Sequence, residues 1–458
     1  MKDLSIRRQY CRVRLCIIYI MLMSITICSC SAPLLVNATR PISKLIGDYL
    51  YGIYDNNILY GYIGKDKDIV IPEINDNLIE IRSLGTNEYV RNVTLNDKVW
   101  RVSGGAFFRC KNLENIYVDP DNEYFSSIDG VLFDKEGTTL ISYPLSRKQK
   151  EYHIPEGTLN VSLITTPINI NYLNFKAHLK RIYLPASIRE FNTEAFYLFE
   201  RLIEIYVDSK NEKYISIDGM LIEKETGELV LYPEAKSKRF ISPDEVKSIG
   251  EKVFYQKGIR HAEFNDNLSK ISTCAFFGCR LRKVEIPDNV SIIEEDAFDS
   301  NRIRTLKLGD SVRIIDKSAF SRNRISKLNL GNSVEIIGSI AFEGNRITSL
   351  HLNDSLQWID ESAFADNRIT RLKLNDSLEY IGGNAFSGNK IRGELIFPDS
   401  LEYIGKDAFT SEKISKVVIS DGVFIEGNLF GSDEFKKAYD EHGAGTYMRT
   451  DEGEWVKQ

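Results

Sequence analysis

The sequence predicts a β-rich solenoid: a right-handed coil of repeats about 22 residues long, with β-hairpins inserted and a cap at each end. Three observations predict it. The pair Ala-Phe recurs at Ala275, Ala297, Ala319, Ala341, Ala363 and Ala385, 22 residues apart each time. The residues around it are respelled from copy to copy. Asp310-Ser311-Val312, Ile315, Ala319-Phe320, Asn323-Arg324-Ile325 and Leu328-Asn329-Leu330 return as Asn332-Ser333-Val334, Ile337, Ala341-Phe342, Asn345-Arg346-Ile347 and Leu350-His351-Leu352. The composition is that of a packed chain, 43% hydrophobic and 27% charged, which excludes a disordered or low-complexity one.

Each element follows from the repeat. No single turn can bury its own apolar side chains, so each Leu328, Ile315 or Phe320 must pack on its copies above and below. Leu-x-Leu reads as a short strand with two inward residues. Gly-Asp-Ser, Gly-Asn-Ser and Asn-Asp-Ser are turn sequences between short strands. Ala-Phe marks a tight bend where a small residue must sit beside a core aromatic. Asn301, Asn323, Asn345, Asn367 and Asn389 hold one place, and Cys110 and Cys279 take that same place in their own turns. A position filled by Asn or Cys is a buried ladder, where a side chain either satisfies backbone groups or is small and weakly polar. Both cysteines therefore read as structural.

The first half carries a longer echo. Ala106-Phe107 and Ala195-Phe196 stand 89 residues apart, as do Ser127-Ile128-Asp129-Gly130 and Ser216-Ile217-Asp218-Gly219, and Tyr143-Pro144 and Tyr232-Pro233. Asp-Gly flanked by alternating apolar residues is a strong hairpin signal, so two β-hairpin islands are expected here. Asp119, Asp121 and Glu123 have the look of a calcium loop. Lys210 replaces Asp121 in the second copy, which favours a turn instead.

The amino terminus reads as an export signal. Lys2, Arg7, Arg8, Arg12 and Arg14 precede an uncharged stretch from Leu15 to Val36. Val36-Asn37-Ala38 would suit cleavage before Thr39. Ile27-Cys28-Ser29-Cys30 would make Cys30 the lipidated first residue of a lipoprotein. An uncleaved anchor is the third reading, and all three put the body outside the cytoplasm. The expected organisation is a signal at 1–38, a cap and first turns at 39–104, irregular repeats with the two islands at 105–256, regular repeats at 257–430 and a C-terminal cap at 431–458.

In order, these motifs resemble the BspA-like leucine-rich-repeat proteins, over nearly all of the chain after the signal. Gly61-Tyr62-Ile63-Gly64 through Ile69-Val70-Ile71-Pro72 resembles that family's N-terminal cap. Ser127 to Leu132 with Tyr143-Pro144 resembles its hairpin island, and Asp354-Ser355-Leu356 to Ala363-Phe364 its core repeat. Gly443-Ala444-Gly445-Thr446-Tyr447 with Trp455 resembles a C-terminal segment of some members. The resemblance implies surface display and attachment to host components such as matrix proteins, with self-association in some members. It implies no catalytic residue. Within the regular repeats the family's usual Pro after the strand stands only at Pro287 and Pro398, with Gly or Asn elsewhere.

Two columns of equivalent outward residues are the candidate ligand-binding positions. One precedes the invariant Ile and reads Ile292, Ile314, Ile336, Trp358, Tyr380 and Tyr403. It is either a recognition stripe or a ladder of like residues that stiffens the coil. The other reads Arg280, Arg302, Arg324, Arg346, Arg368 and Lys390. It could take sulfated glycans or acidic protein patches, or be a solvated face bridged to Asp310, Asp354, Asp376 and Asp399.

The net charge of −6 gives no global field for nucleic acid. No phosphate loop, Gly-x-Ser-x-Gly, His-Glu-x-x-His or Cys/His pairing appears, and no metal or cofactor is expected. The expected function is therefore non-catalytic: a cell-surface, adhesin-like protein binding host or matrix proteins or glycans. A self-associating envelope protein is the alternative, and a secreted glycan-active enzyme a third.

Overall fold

The computed structural model describes residues 43–52, 57–73, 76–162, 177–193, 196, 199–411 and 413–458. Residues 1–38 with Cys30, and Ala195, lie outside the described residues. The chain is a β-solenoid of about 16 turns at roughly 22-residue spacing, with almost no helix.

A regular turn contributes two short strands, and each pairs in parallel with its own copy in the next turn. Lys327–Asn329 pairs with Ser349–His351, and Ile314–Ile315 with Ile336–Ile337. In the first kind of strand the middle residue is buried and its neighbours are exposed. In the second the trailing Ile is buried. The respelled sequence fixes this register, because a slip of one residue would turn every Leu and Ile outward.

Between the strands the chain bends around Ala-Phe, and the bend explains the residues that flank it. Ser318, Arg322, Ile340, Ser362, Asp366 and Asn384 all have φ between +53° and +62°. Two left-handed residues per turn reverse the chain and leave Ala319 and Phe320 with no exposed surface. The Phe side chains form a spine. Phe298 stacks on Phe320 at 5.2 Å with planes 1° apart, and Phe342 on Phe364 at 5.4 Å and 3°. Each such contact adds about 0.5–1.5 kcal/mol beyond burial.

The Asn column is the polar half of that spine. Asn323 Nδ2 donates to Phe298 O at 2.9 Å, Phe320 O at 3.2 Å and Ser321 O at 3.1 Å. Its Oδ1 accepts the Ile303 N–H at 3.0 Å. Cys279 fills the same place, its thiol donating to Phe254 O at 3.1 Å. Burial pushes the Cys279 thiol up to about 11 and that of Cys110 to about 12. One turn earlier in the regular run the place is held by Lys257, whose Nζ donates to Tyr232 O at 2.7 Å and pairs with Glu234 at 2.6 Å. Burial holds that ammonium below the usual lysine range, against the opposing pull of Glu234.

Both hairpins form, and each is a three-stranded meander. Phe125–Ile128, Val131–Asp134 and Thr139–Ser142 make the first. Tyr214–Ile217, Met220–Glu223 and Glu228–Leu231 make the second. Asp129 and Gly130, like Asp218 and Gly219, are left-handed, as a two-residue hairpin turn requires. They are not islands in the sense of separate units, because the third strand of each pairs in parallel with the next turn of the coil. Asp119 Oδ1 accepts the Asp121 N–H at 2.9 Å, a turn contact, and buried Asn122 bonds Asn96 O and Val99 O.

Both ends are closed. Ser43–Ile46, Tyr49–Gly52 and Ile58–Tyr62 form an antiparallel start. At the far end a helix at Glu434–His442 and strands Gly445–Arg449 and Trp455–Lys457 cover the last turn with Phe430, Phe435, Tyr439, Tyr447 and Trp455. The helix was not foreseen. Its only sequence signal is Phe435 and Tyr439 one helical turn apart, ahead of Gly443 with φ 66°.

Candidate binding surface

Twelve strands form one sheet, from the second hairpin at Tyr214–Ile217 to Phe424–Ile425. Its outward column is the first predicted one. Ile292, Ile314, Ile336, Trp358, Tyr380 and Tyr403 pair in sequence along the coil, each beside a buried Ile. Ile292 is exposed and the other five are half-buried.

The aromatic part of the column is a continuous stack. The rings of Trp358 and Tyr380 lie 3.7 Å apart with planes 6° from parallel, and those of Tyr380 and Tyr403 4.7 Å apart at 3°. Stacking covers the ring faces, so Trp358, Tyr380 and Tyr403 turn their edges to solvent. The Tyr403 hydroxyl donates to Glu426 Oε2 at 2.5 Å. Burial, reinforced by Glu426, raises the Tyr403 phenol well above its ordinary range, and burial raises Tyr380 too. Both hydroxyls therefore remain donors at neutral pH.

Phe424 extends the stack, 5.7 Å from Tyr403, and is 62% exposed. Its strand is the last of the sheet, so one face of its ring is open. Sequence reasoning missed Phe424 because it follows Tyr403 by 21 residues and no Ala-Phe pair comes after it; Leu429-Phe430 stands there instead.

A second aromatic ladder was also missed. His153, Tyr183 and Tyr206 pair along the sheet of Glu151–His153, Arg181–Leu184 and Glu204–Val207. Their rings stack at 4.0 Å and 4.9 Å. Beside them Arg181 bridges Glu151 and Glu204, with Nε 3.1 Å from Glu204 Oε2. Hydrogen bonds from Tyr206 and Arg181 hold the Glu204 carboxyl below its usual range. The signal lay in Arg-Ile-Tyr-Leu and Glu-Ile-Tyr-Val, 23 residues apart at Arg181 and Glu204.

The basic column is registered as the repeat demands. The N–H of Arg302 donates to Leu281 O, that of Arg324 to Ile303 O, that of Arg346 to Ile325 O and that of Arg368 to Ile347 O, at 2.9–3.1 Å. Its expected acids do not meet it. Asp310 Oδ1 accepts from Asn332 and Asp399 Oδ1 from Ser420. The acids lie on the turn that follows the strand, on the far side of the buried Leu-x-Leu, and among the described residues none of them bridges to these arginines.

The model of the BspA type leucine-rich repeat region matches the chain in six copies over residues 65–177, 230–346 and 314–436. The chain belongs to the BspA type leucine-rich repeat family. Similar solved structures include a leucine-rich repeat protein from Eubacterium ventriosum, 18% identical, covering 76% of this chain and 95% of that one, with a TM-score of 0.48. The pneumococcal vaccine antigen PcpA is 16% identical over 76% of this chain and 98% of its own, with a TM-score of 0.40. A leucine-rich cell surface protein from Faecalibacterium prausnitzii is 18% identical over 80% and 91%, with a TM-score of 0.32. No curated protein matches. Membership rests on the family match, and the BspA type repeats are the turns that carry both predicted columns.

Proposed function

We propose that this BspA type protein is a non-catalytic protein held outside the cytoplasm, and that it binds a protein ligand along the outer face of its long sheet. The reading rests on one observation: the stack of Trp358, Tyr380, Tyr403 and Phe424 runs turn by turn along the outside of the coil and ends on an exposed ring at the last strand. Aromatic residues are enriched where protein surfaces meet, because they bury much area with few rotatable bonds. The export-like amino terminus and the family resemblance support placement at the cell surface, in an adhesin-like role. Ile314 and Ile336 extend the same face with apolar area.

The test is binding of the full chain to immobilised extracellular-matrix proteins. Trp358→Ala with Tyr380→Ala, and separately Phe424→Ala, should abolish binding while the circular dichroism spectrum is kept. Undiminished binding by both variants overturns the proposal. Release of product from a polysaccharide panel would overturn its non-catalytic part.

A further inference from the structure

The flank that carries the basic column has a second basic column beside it. Two residues after Arg280, Arg302 and Lys390 stand Arg282, Arg304 and Arg392, and Ser326, Thr348 and Thr370 take that place in the middle turns. The residue between the two columns is buried in every turn, as at Leu281, Ile303 and Ile325, so both columns face the same way. The Arg304 N–H bonds Arg282 O and the Arg392 N–H bonds Thr370 O, which locks the second column turn by turn as well. Over six turns these twelve positions hold nine basic residues, three hydroxyls and no acid.

Other arginines of the coil are paired, such as Arg322 with Asp299, Arg313 with Glu335 and Arg181 with two glutamates. Among the described residues, the side chains of Arg280, Arg302, Arg324, Arg346, Arg368 and Lys390 take part in no ion pair or hydrogen bond. They are exposed except Arg324, which is half-buried. Successive turns are roughly 5 Å apart, so the column spans about 25 Å of like charge in a protein whose net charge is −6. Like charges at that spacing destabilise a sheet unless a counter-charge is supplied. Guanidinium forks suit oxyanions, which they bind through two parallel hydrogen bonds. No aromatic residue is interleaved to stack a base, so single-stranded nucleic acid fits poorly.

We infer that this flank is a binding site for a linear sulfated polysaccharide, lying along the coil axis with its sulfates on Arg280, Arg302, Arg324, Arg346 and Arg368. The hydroxyls of Ser326, Thr348 and Thr370 serve the sugar hydroxyls between them. The site is separate from the aromatic stack and does not depend on it.

Binding of the full chain is measured by biolayer interferometry on immobilised heparin, on its unsulfated backbone polysaccharide and on duplex DNA. Heparin should bind, the unsulfated chain should not, and affinity should fall at least about tenfold from about 50 to about 200 mM salt. Arg302→Gln with Arg324→Gln and Arg346→Gln should weaken heparin binding at least about tenfold, with an unchanged circular dichroism spectrum. A control with the same charge loss at ion-paired sites, Arg189→Gln with Arg239→Gln and Lys416→Gln, should bind as the parent does. Heparin should also raise the melting temperature of the parent and not that of the triple arginine variant. Equal binding of heparin by the two triple variants, equal binding of the unsulfated chain, or DNA bound as tightly as heparin overturns the assignment. Matrix-protein binding by the arginine variant separates this failure from that of the aromatic stack.

Discussion

The indole of Trp358 lies 3.7 Å from the ring of Tyr380, centroid to centroid, with the two planes 6° from parallel. Residues 22 apart in sequence are thus in full face contact on the outside of the coil. Trp358→Ala and Tyr380→Ala should each destabilise the protein, and together by less than their sum. The expected coupling in a double-mutant cycle is about 1 kcal/mol, read from urea unfolding at constant slope. Strict additivity would mean that the stack contributes nothing to stability.

Asn345 Nδ2 serves Phe320 O, Phe342 O and Glu343 O, and its Oδ1 takes the Ile325 N–H. Asn345→Ala would leave the buried Ile325 N–H unpaired, while Phe320 O, Phe342 O and Glu343 O would each lose one of two bonds and keep those from Asn323, Asn367 and the Arg322 N–H, at about 2 kcal/mol in all. Asn345→Cys should cost less, because Cys279 already holds that place one bond to a carbonyl. Thermal melting of the two variants ranks them, and equal losses would refute the ladder account.

Ile340 has φ 62° where neighbouring turns place Ser318, Ser362 and Asn384. A β-branched residue is strained there. Ile340→Asn should therefore stabilise by about 1 kcal/mol, seen as a higher melting temperature. A lower one would show that the side chain's packing outweighs its backbone strain.

Burial raises the Tyr143 and Tyr214 phenols from 10 to about 12. A folded-state value above the unfolded one means that the neutral form is favoured by folding. That contribution is complete below pH 10 and is lost as pH rises from 10 towards 12. Melting temperature should hold from pH 8 to about 9.5 and then fall, with late phenolate absorbance appearing together with unfolding. Tyr143→Phe should flatten the fall.

The mass of the protein recovered from its own cells decides between the amino-terminal readings. A start at Thr39 without lipid is expected for a cleaved signal, and a lipid-bearing start at Cys30 for a lipoprotein. A mass that retains Met1 would leave the uncleaved anchor.

Much of the coil was legible because burial repeats with the sequence. Ala319, Phe320, Asn323 and Leu328 could each be placed inside from their copies alone. The candidate surface was only partly legible. Trp358, Tyr380 and Tyr403 were found because they sit beside an invariant Ile. Phe424 was hidden by a shortened last turn, and His153, Tyr183 and Tyr206 by uneven spacing around the first hairpin. Lys257 in the Asn ladder left no periodic trace, since its partners Glu234 and Tyr232 O come from the segment that follows the second hairpin.

The sequence by itself determined the coil, its register and the face of every repeated residue. A fixed period leaves one way to stack apolar side chains on their copies. The tertiary structure alone decided which outward residues meet. It placed the aromatic rings face to face, carried the long sheet out of the second hairpin, ended it on Phe424 and kept Asp310 and Asp399 away from the arginines. Those outcomes depend on the side of each turn that a residue occupies and on where the last strand stops. Spacing along the chain does not encode either one, because it records recurrence and not distance across the turn.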